Sequence, residues 1–218
     1  MSDLHGMYDK YVRMLDKIGG LGEGDTLYVL GDVIDRGPDG VLILQAMMGD
    51  PRIILIEGNH ESFALAPLCA LAGGEPIDNI KNTEWISDGG MPTAEAFSAL
   101  DRKTRTEMAD YLASLPCYRE LTVAERKFHL SHTLPEYDPE NGVHDVTYVD
   151  FIWGEPDYDK CYDLGVTFIT GHTPTKLIDP AYEGRIWQGN GHIAIDCGAA
   201  FGGRLGCLCL DTMEEYYV

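Results

Sequence analysis

The spacing of apolar positions sets out an alternating chain. Residues 7–18 carry Tyr8, Tyr11, Val12, Leu15 and Ile18 at helical spacing, and Gly19-Gly20 ends the run. A strand is predicted over 25–30, its apolar part Leu27-Tyr28-Val29-Leu30 being too short for a helix. Pro38 then suits a first helical turn, with Val41, Leu42, Leu44 and Met48 behind it. The stretch 52–57 is nearly all apolar, as a strand buried on both faces is. From Ser62 to about Pro116 the spacing predicts helices over 62–72, 78–86, 92–100 and 102–115, interrupted by Gly73-Gly74 and Asp88-Gly89-Gly90. That segment reads as a helical cap inserted between sheet elements of a single domain, 1–218. Strand pattern returns at 118–123 and 126–131, and a polar loop fills 133–150. Strands follow over 166–170, 185–188, 192–196 and 203–210, with Gly189-Asn190-Gly191 as a hairpin turn. Strand, helix, strand, helix indicates an α/β layered fold with a ligand site along one sheet edge.

Charge narrows the partners. The chain holds 36 acidic and 16 basic residues, a net charge of -20. Such a surface excludes non-specific binding to nucleic acid or to anionic membranes. No apolar run reaches membrane-spanning length and no signal-peptide pattern is present. Six cysteines without a CxxC fit reduced thiols and a cytoplasmic location.

The candidate chemistry sits at strand ends. Strand 25–30 runs into Gly31-Asp32-Val33-Ile34-Asp35-Arg36-Gly37, and strand 52–57 into Gly58-Asn59-His60-Glu61. Close carboxylates in a half-buried loop are costly unless a positive charge accompanies them, and a divalent cation is the usual solution. Asp3-Leu4-His5 spaces a carboxylate and an imidazole to grip one cation; His132 and His172 each end a further strand. Asp3, His5, Asp32, Asn59, His132 and His172 together would hold two clustered metals with Asp32 bridging. Only two residues precede Asp3, so the strand expected to deliver it points to a natural start upstream of Met1. His129, His144 and His192 read as structural or surface residues, the Tyr-rich loop 137–162 as surface, and Asp196 as an orienting residue or a strand-end turn.

In this order the motifs resemble those of the binuclear, calcineurin-like metallophosphoesterases, in their bacterial serine/threonine phosphoprotein phosphatase branch. The likeness rests on Asp3-Leu4-His5-Gly6, Gly31 to Gly37, Gly58 to Glu61, His132 and Gly171-His172-Thr173, with Trp85 to Gly90 and Thr93 in the cap. It implies a two-sheet β-sandwich flanked by helices. It also implies two divalent ions, manganese, iron or zinc, the first on Asp3, His5 and Asp32 and the second on Asp32, Asn59, His132 and His172. His60, oriented by Asp35, would protonate the leaving alkoxide, while Arg36 and Asn59 grip the phosphate. Attack by metal-activated water, without a phosphoenzyme, follows from the same resemblance. The expected substrate is a phosphorylated protein or a small phosphoester. Two departures stand out: no arginine lies between His132 and His172, where Lys160 is the one formal cation, and Thr133 replaces a small residue. The missing arginine keeps open a related activity on symmetrical dinucleoside tetraphosphates, and the short N-terminus keeps open a metal-deficient, non-catalytic scaffold.

Overall fold

The computed structural model describes residues 1–136, 147–161 and 165–218. Strands β1 (Leu27–Leu30) and β2 (Ile53–Ile56) pair in parallel, Leu27 opposite Ile53 and Leu30 opposite Ile56. Residues 1–6 run alongside β1: Met1 O accepts the Leu30 N–H at 3.0 Å, and the Asp3, His5 and Gly6 amides donate to Gly31, Asp32 and Val33. Three extended segments therefore end together, and each ends in a motif.

Alternation along β1 and β2 explains the layers. Leu27, Val29, Ile53 and Leu55 face a helical core with Met14, Leu44, Leu68, Phe97 and Leu112. Leu30 and Ile56 face the opposite way, onto Phe128, Leu130, Ile169 and Ile193 of a second sheet. The helical layer comprises α1 (Tyr8–Lys17), α2 (Gly40–Met48), α3 (Asn59–Gly73), α4 (Met91–Ser98) and α5 (Arg102–Ala113). The helices of 62–116 share this core with the sheet.

The second sheet has the order β3-β4-β5-β7-β6, with β3 (Tyr118–Val123), β4 (Arg126–Ser131), β5 (Thr167–Thr170), β6 (Trp187–Gly189) and β7 (His192–Ala194). β4, β5 and β7 are parallel, so His132 and Gly171-His172 leave the same edge of that sheet. Both hairpins use two-residue turns with positive φ at each position: Ala124-Glu125, and Asn190-Gly191 as its sequence predicts. Short helices α6 (Asp150–Trp153) and α7 (Thr175–Ile178) decorate the connections. The result is the expected α/β sandwich of two sheets with helices outside.

Several boundaries differ from the pattern. The helix expected over 78–86 is replaced by one 3₁₀ turn, Ile77–Asn79, and a wide turn, Ile86–Gly90. Gly89 has φ +99, a conformation that stops a helix. α3 starts earlier than expected, at Asn59, because the Glu61 carboxylate accepts the Gly58 N–H at 3.0 Å. The run 203–210 shortens to β8 (Gly206–Leu208), and the tail, which the pattern leaves unassigned, pairs with it as β9 (Glu215–Tyr217). His144 and much of the loop 137–162 lie outside the described residues. Among the described residues no helix is long and apolar enough to cross a membrane. The six cysteines are free thiols.

Glu61 ties the two motif loops together. Its buried carboxylate also accepts the Asp32 and Val33 amides, each at 2.8 Å. Replacing it leaves those donors buried and unmet. We expect Glu61→Ala to lower the unfolding free energy by about 3 kcal/mol, read by urea titration; a loss below about 1 kcal/mol contradicts this role.

Candidate metal centre

The six residues assigned to metals by their sequence gather at the shared strand edge. Asp32 lies between two groups of donors. Its Oδ2 is 3.5 Å from His5 Nε2 and 4.0 Å from His60 Nε2. Its Oδ1 is 3.4 Å from His132 Nε2. His5, Asp32 and His60 form one set of donor atoms within 4.8 Å of one another, and Asp32, His132 and His172 form a second. Asn59 Oδ1 completes the second set, 2.8 Å from His132 Nε2 and 3.0 Å from His172 Nδ1. Asp3 reaches the same edge differently: its carboxylate accepts the His172 N–H, 3.1 Å from Oδ2, and lies over Gly171.

Hydrogen bonding fixes which ring nitrogens face inward. His132 Nδ1 is 2.7 Å from the Leu30 carbonyl, and His5 Nδ1 is 3.0 Å from the Ile34 carbonyl. A carbonyl only accepts, so in each neutral ring Nδ1 holds the proton and Nε2 presents a lone pair. The His132 lone pair thus meets the lone pairs of Asn59 Oδ1 and Asp32 Oδ1 without a proton between them. Burial raises Asp32 well above the ordinary carboxylate range, and the nearby Asp3 and Glu61 charges add to it. Asp3 is raised in the same way, by burial and then by Asp196. Burial pushes His5 down to about 2 and His172 to about 4, and holds His132 well below its ordinary value. Unprotonated imidazoles beside buried carboxylates are a donor set that fits divalent cations with mixed nitrogen and oxygen preference. The residues present therefore fit a pair of such ions, and positive charge is what the cluster lacks. Arg36 supplies part of it: Nη1 donates to His5 Nε2 at 2.7 Å, and the guanidinium lies 5.2 Å from the Phe201 ring centre.

His60 stands at the rim of the first set. Its Nδ1 is 2.8 Å from Asp35 Oδ2, which also accepts the Trp85 indole N–H at 2.7 Å. Thr93 Oγ1 accepts the Asp35 N–H at 2.9 Å, which explains why the cap residues belong to the site. The strand-end pattern does not reveal Asp88, whose Oδ2 is 3.4 Å from His60 Nε2. In the sequence Asp88 stands out only as part of the Asp88-Gly89-Gly90 break and of the cap segment Trp85 to Gly90 that carries the family resemblance, with no role attached to it. Thr133 pins the segment behind the site, its amide to Phe151 O at 2.9 Å and its hydroxyl to Gly154 O at 2.8 Å. Asp196 forms the strand-end turn, accepting the Gly198 N–H at 2.8 Å. His129 stacks on Tyr118, and His192 on Tyr158, away from the donor sets.

The sequence profile of the calcineurin-like phosphoesterase family matches residues 1–197. A symmetrical bis(5'-nucleosyl)-tetraphosphatase of Klebsiella pneumoniae is 31% identical over 181 residues, 81% of this chain and 57% of its own length. A zinc-dependent endopolyphosphatase of Saccharomyces cerevisiae is 40% identical over 63 residues, 28% of this chain and 19% of its own length. This chain therefore spans less than three fifths of either relative. Among solved structures, a candidate diadenosine tetraphosphatase superposes with TM-score 0.65 at 17% identity, covering 100% of this chain and 90% of its own. A serine/threonine phosphatase of Saccharomyces cerevisiae gives TM-score 0.61 at 14% identity, covering 94% of this chain and 69% of its own. These likenesses show a shared fold.

The shifts give the pH dependence a sign. Histidines held below the ordinary 6.5 stabilise the metal-free fold above that pH, and the contribution is lost as pH falls toward 4 and below. The carboxylates act oppositely: Asp196, raised to about 6, and Asp3 and Asp32, raised well above the ordinary range by burial, lose stability as pH rises above 3.8. A bound cation relieves the carboxylates and requires unprotonated imidazoles. Thermal unfolding with manganese against chelator is thus expected to show a metal-induced rise in Tm that grows from pH 5 to 7.5. It corresponds to about 2.7 kcal/mol at a hundredfold excess over Kd. Asp32→Asn is expected to stabilise the chelated protein at neutral pH and to abolish the metal-induced rise; retention of that rise contradicts the assignment.

Proposed function

The chain belongs to the calcineurin-like phosphoesterase family, and we propose that it hydrolyses phosphomonoesters of alcohols at a two-cation centre, with phosphoserine and phosphothreonine in proteins as substrates. The observation that carries this reading is the placement of His60. Its Nδ1 is engaged by Asp35, so Nε2 is the nitrogen turned to the reacting edge. An alkoxide is a strong base and departs only with a proton, which a terminal phosphate needs far less.

Asp3, His5 and Asp32 would hold one cation, and Asp32, Asn59, His132 and His172 the other. The pair, when bound, polarises the phosphate and makes a water nucleophilic near neutral pH. Arg36 offers its planar fork to the phosphate oxygens. The water oxygen forms the new bond to phosphorus and releases its proton to bulk solvent. The ester P–O bond breaks with its electron pair on the alcohol oxygen, which takes the Nε2 proton of His60. Asp35, held by the Trp85 N–H, keeps the ring aligned throughout.

A second reading is symmetrical hydrolysis of dinucleoside tetraphosphates. The Klebsiella relative favours it, as does the missing arginine between His132 and His172, which removes a grip on a monoester dianion. Manganese-loaded protein assayed on a phosphoserine peptide and on diadenosine tetraphosphate separates the two. The proposal expects faster phosphate release from the peptide; faster formation of nucleoside diphosphate replaces it with the second reading, and no turnover of either leaves the scaffold. His60→Ala is expected to cut turnover of the phosphopeptide by about 10²–10⁴-fold, and p-nitrophenyl phosphate, whose leaving group is weakly basic, by less. Equal losses on the two substrates contradict the proton-donor role.

A further inference from the structure

The wide turn Ile86–Gly90 holds the reaction edge from outside. Gly89 O accepts the Arg36 N–H at 2.9 Å, and a Cβ on Gly89 would come 3.0 Å from Arg36 Cγ, so the turn is seated against Arg36. Before it, Trp85 is buried and donates to Asp35; after it, Gly90 lies so close to the Trp85 ring that a Cβ would stand 2.5 Å from Cε2. Asp88 is thereby fixed from both sides. Its carboxylate is 47% exposed and lies 3.4 Å from His60 Nε2, a buried nitrogen with no hydrogen-bond acceptor or donor assigned to it among the described residues. The general acid must face the leaving group, so this carboxylate borders the space the leaving group occupies.

We propose that Asp88 determines specificity: its negative charge disfavours anionic leaving groups at His60, and the site selects phosphate esters of neutral alcohols. This rests on the function proposed above, because the role of His60 is what locates the leaving group. A departing seryl or threonyl oxygen brings no charge beyond the one its proton cancels. A departing nucleoside diphosphate brings phosphate charges close to the Asp88 carboxylate, and like charges at that separation repel even where the carboxylate is half exposed. The sequence carries no nearby arginine to offset this between His132 and His172.

The test compares manganese-loaded wild type, Asp88→Asn and Asp88→Glu. The ratio of kcat/KM for diadenosine tetraphosphate to that for a phosphoserine peptide should rise about tenfold in Asp88→Asn, mainly through KM. Asp88→Glu, which keeps the charge, should keep the wild-type ratio. Calorimetric binding of tripolyphosphate and of orthophosphate provides a readout that needs no turnover. Asp88→Asn should tighten tripolyphosphate about tenfold relative to orthophosphate. Unchanged ratios overturn the assignment of Asp88. If the wild type turns over no phosphoester, the proposed function fails, and the calorimetric ratio still decides the role of Asp88.

Discussion

The strand edge is built around electron pairs that meet without a proton between them, those of His132 Nε2, Asn59 Oδ1 and Asp32 Oδ1. The Leu30 and Ile34 carbonyls commit His132 and His5 to tautomers whose inward nitrogens cannot donate. Asp32 then places one oxygen toward each histidine group. Packing this cluster under a sheet edge is unfavourable for the bare polypeptide, and the shifted protonation of Asp3, Asp32, His132 and His172 records that cost. Bound cations would convert the same geometry from repulsive to binding.

The backbone shares in the expense. Asp3, His5, Asp32, Asp35, Arg36 and His172 all lie in the left-handed region, six of the ten described non-glycine residues with positive φ. Each such residue costs on the order of 1–3 kcal/mol and persists only where its surroundings over-determine it. Here they do. Residues 1–6 are bonded along β1, Glu61 holds the Asp32 and Val33 amides, and Gly89 and Thr93 hold the Arg36 and Asp35 amides. Gly31 and Gly58 permit the close approach of the two loops: a Cβ on Gly31 would come 2.5 Å from Gly58 Cα. Strain sits where the chemistry is, and the apolar layers on either side of β1 and β2 sustain it.

The site was legible in the sequence because strand-end motifs are short and local. Gly31 to Gly37 and Gly58 to Glu61 each follow an apolar run whose period gives away the strand, so parallel pairing of the runs brings the motifs together. The same runs mark strands buried on both faces, Leu30 and Ile56 serving one and Val29 and Leu55 the other, whereas the two-sheet sandwich was legible only through the resemblance of the motifs to a known family. What stayed hidden depends on contacts across many residues. Asp88 reaches His60 only because Gly89 and Gly90 seat the turn on Arg36 and Trp85, and no periodicity encodes that. The stretch 78–86 reads as a helix by composition, yet it gives way to a 3₁₀ turn at Ile77–Asn79 and the wide turn at Ile86–Gly90. β9 eluded the pattern because three residues, Glu215–Tyr217, carry too short a signal to register apart from their partner β8.

In the proposed centre Asp32 would join two cations through its two oxygens. Electron paramagnetic resonance of the protein loaded to saturation with manganese tests this most directly. Two ions sharing the Asp32 carboxylate should give an exchange-coupled spectrum that collapses in Asp32→Asn. A spectrum of isolated ions at full loading of the wild type would contradict the account.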